Sequence, residues 1–172
     1  MGVPVISFSE DIHPRNSSCP ILMSILKSLT SLDLLRTTNE QVQSSLEILQ
    51  ANISEYSEGI PLSRNYAKQL ATRLHEKLIV VYGVGPFSSV ARRWKTQFNE
   101  NSKNWAFCEE IPEVHHNSVV GYSLPSVVSD FSEVLLLTPA DVPDKIKKLY
   151  DVTVELLEEK NISHRVIKAN RG

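Results

Sequence analysis

The apolar positions of the chain change period several times, and each change marks an element. Val3 to Phe8 is a β-branched and aromatic run, the pattern of a buried strand. The loop SEDIHPRNSSCP, dense in turn residues, follows it. Ile21, Leu22, Ile25, Leu26 and Leu29 then recur at helical spacing, which predicts a helix from about Pro20 to Leu35. Asn39 can cap a second helix with an apolar stripe of Val42, Leu46, Leu49, Ile53 and Tyr56. In Glu58-Gly-Ile-Pro61, a glycine near a helix end and a proline that resists continuation mark a boundary.

Beyond Ser63 helical and strand patterns alternate. Tyr66, Leu70, Ala71 and Leu74 predict a helix, and Leu78 to Tyr82 an unbroken apolar strand. The loop GVGPFSS leads to a helix with Val90, Trp94 and Phe98 at intervals of four. A short strand is expected at Trp105 to Phe107, and Pro112 suits the first turn of another helix. Val134 to Leu137 predicts a third strand, and LTPADVP leads to a helix with Ile146, Leu149 and Leu157. His164 to Lys168 predicts a fourth. Fully apolar strands alternating with helices imply a parallel sheet covered on both faces. The expected fold is an open three-layer α/β domain over 62–172, preceded by the end of another domain over 1–61.

Composition narrows the function classes more than the fold. The 172 residues are 41% hydrophobic and 22% charged, ordinary for a globular protein, and the net charge of −2 gives no reason to expect nucleic acid or an anionic membrane. No apolar run approaches the ~20 residues of a membrane helix. Two cysteines, Cys19 and Cys108, are too few for a disulfide framework, so reduced thiols and a cytoplasmic location are expected. A strand directly at the start, and a closing strand HRVIKANRG with no covering helix after it, suggest a piece of a longer polypeptide.

Ligands of open parallel sheets sit outside the carboxyl ends of the strands. Three segments are expected there: Gly83 to Ser89, the turn around Glu100, and the segment around His116. Ser88 or Ser89 can face a phosphate from a helix N-terminus, although a tight turn with an ordinary N-cap explains the same residues. Glu100, between Asn99 and Asn101, is either a hydrogen-bonded functional carboxylate or a solvated helix end. His115 and His116 can be acid–base groups or surface side chains. Glu109, Glu110 and Glu113 lie near them, but no zinc spacing such as HExxH is present, so no metal is expected. Arg15 can fix an anionic group by a forked pair of hydrogen bonds.

At RRWKTQFNENSKNWAF and PEVHHNSVVGYS the chain resembles the bifunctional phosphoglucose/phosphomannose isomerases, within the wider sugar-isomerase (SIS) domain family. The long signature RRWKTQ, NENSK and PE-x-x-HN-x-x-G carries the resemblance, together with VVYGVGPFSSVA ahead of it. It is strongest over residues 78–123. The resemblance implies an αβα SIS-type domain preceded by the end of another SIS domain and interdomain helices. It also implies isomerisation of aldose and ketose 6-phosphates through a cis-enediol, without metal or cofactor. Glu100 is then the base at C1 and C2, His116 the ring-opening group, and Arg15 the partner of the enediolate; His115 receives no role. The family's sites form at a homodimer interface, with the histidine from the partner subunit. Its phosphate loops lie mainly in the first SIS domain, and a lysine-bearing helix would begin beyond Gly172. Residues 1–172 alone are therefore expected to be inactive. The alternative is a non-catalytic sugar-phosphate-binding SIS module.

Overall fold

A computed structural model of the chain describes residues 3, 5–7 and 13–169. Two compact units divide between Glu55 and Tyr56. The first holds helices α1 (Ser18–Ser31) and α2 (Asn39–Tyr56), α2 ending at the division. The expected strand at Val3 to Phe8 is not formed at Val3, Val5, Ile6 or Ser7, while Pro4 and Phe8 lie outside the described residues. A strand needs a neighbour for its backbone hydrogen bonds, and no other strand lies among the described residues of this unit. Helix α1 stops short of Leu35, because the chain turns at Asp33 with φ 55°.

The cap of α2 is Thr38, not Asn39. The Gln41 N–H donates to Thr38 Oγ1 at 3.2 Å, and the Thr38 N–H donates to Gln41 Oε1 at 3.0 Å. That reciprocal pair is a capping box, and it satisfies two orphan donors at once.

After a 3-10 turn at Leu62–Arg64, the second unit enters α3 (Tyr66–Leu74). Its N-cap Asn65 is fully buried, accepting from the Lys68 N–H at 3.0 Å and donating to Ser57 O at 3.2 Å. The sheet then builds from β1 (Leu78–Val84), β2 (Ala106–Ile111), β3 (Ser132–Thr138) and β4 (His164–Lys168). All pairings are parallel, in the order β2-β1-β3-β4. Between the strands lie α4 (Pro86–Gln97), the short α5 (Val127–Phe131) and α6 (Asp144–Glu159).

The period of two along each strand sorts the core into two layers. Ile79, Val81, Leu135 and Leu137 pack with Leu74 of α3 and Ala91 of α4 on one face. Tyr82, Val84, Val134 and Leu136 pack with Tyr150 and Leu157 of α6 on the other. Burying each such aliphatic side chain contributes about 1.5–3 kcal/mol, so both layers are needed to offset chain entropy. The result is the expected three-layer parallel α/β domain. One local expectation fails: Pro112 does not open an α-helix but precedes a single 3-10 turn, Glu113–His115. Among the described residues no helix is long and apolar enough to cross a membrane.

Candidate functional site

The chain reverses strand order between β1 and β3, so their carboxyl ends flank a switch point. There β1 passes into α4 through Gly83-Val-Gly85. Ser88 and Ser89 fall in the first turn of α4, whose N-cap is Gly85 with φ 55°. Neither serine caps the helix, since the Ser88 hydroxyl donates back to Gly83 O at 3.3 Å.

Helix α4 then carries the chain back toward the amino end of the sheet, which corrects the expected position of Glu100. The turn bearing Glu100 precedes β2; it does not follow a strand. It is a π-helical turn, Phe98–Ser102, closed by Lys103 in the left-handed conformation. Asn99 ties it to the start of β2, where its Oδ1 accepts from the Ala106 N–H at 2.8 Å. The Ser102 hydroxyl donates to Phe98 O at 2.8 Å, and Lys103 Nζ donates to Glu100 O at 2.5 Å. The Glu100 side chain is exposed. Such π-turns recur at functional positions because the extra residue re-aims neighbouring side chains. A cleft of about 390 Å³ lies alongside, lined by Trp94, Gln97, Phe98, Asn101 and Ser102.

His116 stands at the opposite end of β2. The six residues of that strand span about 20 Å at a rise of ~3.3 Å per residue, and the two groups lie beyond its opposite ends. The structure therefore does not bring Glu100 and His116 of one chain together. Arg15 belongs to the first unit, on the 3-10 turn Pro14–Asn16.

The loop that presents His116 is pinned from several sides. Val114 is buried, and His115 Nε2 lies 2.9 Å from Thr153 Oγ1 of α6. Because the Thr153 hydroxyl itself donates to Leu149 O at 2.7 Å, it accepts from His115. The Ser118 N–H donates to Asn117 Oδ1 at 2.5 Å, and the Ser118 hydroxyl donates to Glu109 of β2. Asn117 Nδ2 donates to Glu113 Oε1 at 3.2 Å. Farther along, the Tyr122 hydroxyl meets that of the buried Tyr82. Burial pushes both phenols up, Tyr122 to about 12, so each serves as a neutral hydrogen-bonding group. His116 is left exposed at the apex of this framework.

Burial, and secondarily the charge of His116, lowers the pKa of His115 from 6.5. The folded state thus resists a proton that the unfolded chain accepts. Its contribution to stability is complete above 6.5 and is lost as pH falls through the lowered folded value. His115→Asn should accordingly shrink the fall in urea midpoint between pH 7.5 and pH 5. Thr153→Val should cost about 1 kcal/mol at pH 7.5. An unchanged acid response in His115→Asn would show that the loop is held by other contacts.

Thr153, Ser118 and Tyr122 were not singled out from sequence. The His115–Thr153 contact spans 38 positions, and a lone threonine on a helix carries no local mark of it. Cys19 and Cys108 form no disulfide.

Comparison with known proteins agrees with this architecture. Residues 63–172 match the family model described as the bacterial phospho-glucose isomerase C-terminal SIS domain. A bifunctional phosphoglucose/phosphomannose isomerase of Caldicellulosiruptor bescii is 27% identical over 158 residues, covering 91% of this chain and 47% of that protein. The Aquifex aeolicus protein of the same description is 30% identical over 158 residues, covering 92% and 45%. A glucose-6-phosphate isomerase-like protein from Thermus thermophilus shares the fold, with a TM-score of 0.58 at 22% identity, over 72% of this chain and 41% of that one. The chain spans about half the length of the curated relatives it matches.

Proposed function

Because this chain belongs to the bacterial phosphoglucose isomerase C-terminal SIS domain family, a family of sugar isomerases, we propose that the whole protein interconverts glucose 6-phosphate and mannose 6-phosphate with fructose 6-phosphate. The reaction passes through a cis-enediol in a cytoplasmic homodimer. Residues 1–61 are the end of a first SIS domain with interdomain helices, and 62–172 belong to the second. Glu100 takes the proton from C2 of the open-chain aldose and returns it to C1. His116 exchanges the proton that opens the sugar ring, and Arg15, by its motif, is assigned to the oxyanion of the enediolate. Abstraction of a carbon-bound proton beside a carbonyl needs this pairing of a carboxylate with a cation or donor. The two aldoses differ only at C2, which becomes planar in the enediol, so one base serves both.

The observation that carries this reading is the placement of Glu100 and His116 at opposite ends of an edge strand. Between them Trp105, just ahead of β2, is 74% exposed and Phe107 of β2 39% exposed, with ring centroids 4.9 Å apart. Exposed paired aromatics on an edge strand suit burial against another molecule. A two-fold axis near the middle of β2 sets two such strands antiparallel. Glu100 of one chain then faces His116 of the partner subunit, and the same pairing recurs on the other side, as an isologous contact requires. One chain alone, with its groups at separate ends, does not complete a site.

Fructose 6-phosphate incubated with the whole protein in D₂O should give aldose 6-phosphate with deuterium at C2. Aldose still free of deuterium after many turnovers would point to a hydride shift and overturn the enediol, since a carboxylate that carries the proton exchanges some of it with solvent. Binding of the sugar phosphate with no turnover would establish the non-catalytic module instead.

A further inference from the structure

At the other edge of the sheet a second cleft, of about 270 Å³, lies between α3 and β4. Tyr66, Gln69, Leu70, Thr72, Arg73 and Arg165 line it. The two arginines differ in their surroundings. Arg73 Nε meets Glu133 Oε1 at 2.5 Å, and its Nη2 donates to Ser163 Oγ at 2.9 Å. Glu133 is only 1% exposed, so the Arg73 charge is matched by a carboxylate held in the core. Arg165 has no such partner. Its Nε is shut off from solvent and meets no acceptor among the described residues.

The direction of Arg165 follows from register. It pairs with Leu135 across the sheet and alternates in phase with Ile167, which packs on the α3–α4 layer. The guanidinium is therefore aimed beneath α3. A guanidinium stays charged at any physiological pH and presents a rigid fork of donors. The surrounding polar groups do not answer it. The Thr72 hydroxyl donates to Lys68 O at 3.0 Å, and the Gln69 amide donates to Leu62 O at 2.9 Å. The cleft thus holds one unmatched cation and a tyrosine side chain, in a volume suited to a small molecule.

We propose that this cleft binds a small oxyanion, the phosphate or carboxylate group of a metabolite, on Arg165 with the Tyr66 hydroxyl as a further donor. Because the Nε is closed to solvent, a forked, charge-assisted pair would fall on the two terminal nitrogens at the cleft. The site is distinct from the reacting sugar's position. Strands β2 and β4 are opposite edges of the sheet, three strand spacings or about 14 Å apart. Occupancy would join α3 to the edge strand β4 and raise the stability of the domain by linkage.

The test is titration of the 172-residue chain with inorganic phosphate, and separately with acetate, at constant ionic strength. Melting temperature is followed in both arms and ³¹P line width in the first. A saturable rise in melting temperature with one anion supports the site, and the anion that saturates identifies the head group. Arg165→Met should weaken the apparent affinity at least about tenfold, as expected on losing a forked charged pair. Tyr66→Phe, an exposed change that spares the fold, should weaken it about threefold, one neutral hydrogen bond. Glu100→Gln should leave the titration unchanged, so this site and the proposed isomerase can fail separately. No saturation with either anion, or saturation equal in wild type and both variants, would overturn the proposal.

Discussion

Gly83→Ala should destabilise the second unit by more than about 3 kcal/mol, beyond the usual cost of overpacking. A Cβ at this position would lie 2.3 Å from Phe87 O, 2.5 Å from Phe87 C and 2.8 Å from Ser88 N. All three are backbone atoms in the first turn of α4, so no side chain can swing aside. Gly83 is itself held in β1, in register with Glu110 of β2, and cannot retreat without breaking the central strand. Relief therefore requires α4 to lift from the sheet, opening the layer that contains Ala91 and Leu135. Gly85 provides the contrast. A Cβ there meets nothing within 4 Å, but its φ of 55° strains any L side chain. Gly85→Ala should cost only about 1–2 kcal/mol, as expected for a strained backbone position. Urea unfolding of both variants checks the order; equal losses would mean that α4 accommodates the methyl group by moving. Glu100 follows the far end of α4, so such a shift would also displace the proposed base.

The same turn shows how far residue pattern reaches. The central strands β1 and β3 were legible because a strand buried on both faces reads as an apolar run, whereas the edge strands β2 and β4 keep polar positions and β2 was read only over Trp105 to Phe107. GVGPFSS was legible as a tight turn, although the reason for Gly83 is a close approach visible only once α4 sits on β1. The end of the sheet reached by Glu100 was misread. Its polar Asn-Glu-Asn setting resembles a strand-end loop, yet the intervening twelve residues of α4 return the chain to the amino edge. The α2 cap had a readable signal in Thr38-Asn-Glu-Gln41, the capping-box spacing, and Asn39 was preferred only as a strong cap by type. The Val3 to Phe8 run illustrates a different limit: local apolar content favours a strand, but hydrogen-bonding neighbours must supply it. Roles at Glu100 and His116 came from the extended signature. Polarity alone does not separate an exposed reacting group from an exposed surface group.

Opposite placement of Glu100 and His116 leads to the most demanding expectation of the proposed function. Glu100→Gln and His116→Asn should each lower turnover by about 10²–10⁴, the range for loss of a positioned acid or base. Co-expressed with different affinity tags and purified through both, the two inactive chains form a mixed dimer. If each site takes its glutamate from one chain and its histidine from the other, the mixed dimer contains one site with both native groups and one with neither. It should therefore recover about half the wild-type turnover per dimer, the fraction required by two equivalent shared sites. If both groups served one site within a chain, every site in the mixed dimer would lack one of them, and activity would stay at the level of the single variants. Trp105→Asp should abolish the recovery by placing a charge on the exposed aromatic pair at the start of β2, and size-exclusion chromatography should then show the monomer. Recovery unaffected by Trp105→Asp would place the shared interface elsewhere on the domain, while a mixed dimer without recovery would remove the two-chain site altogether.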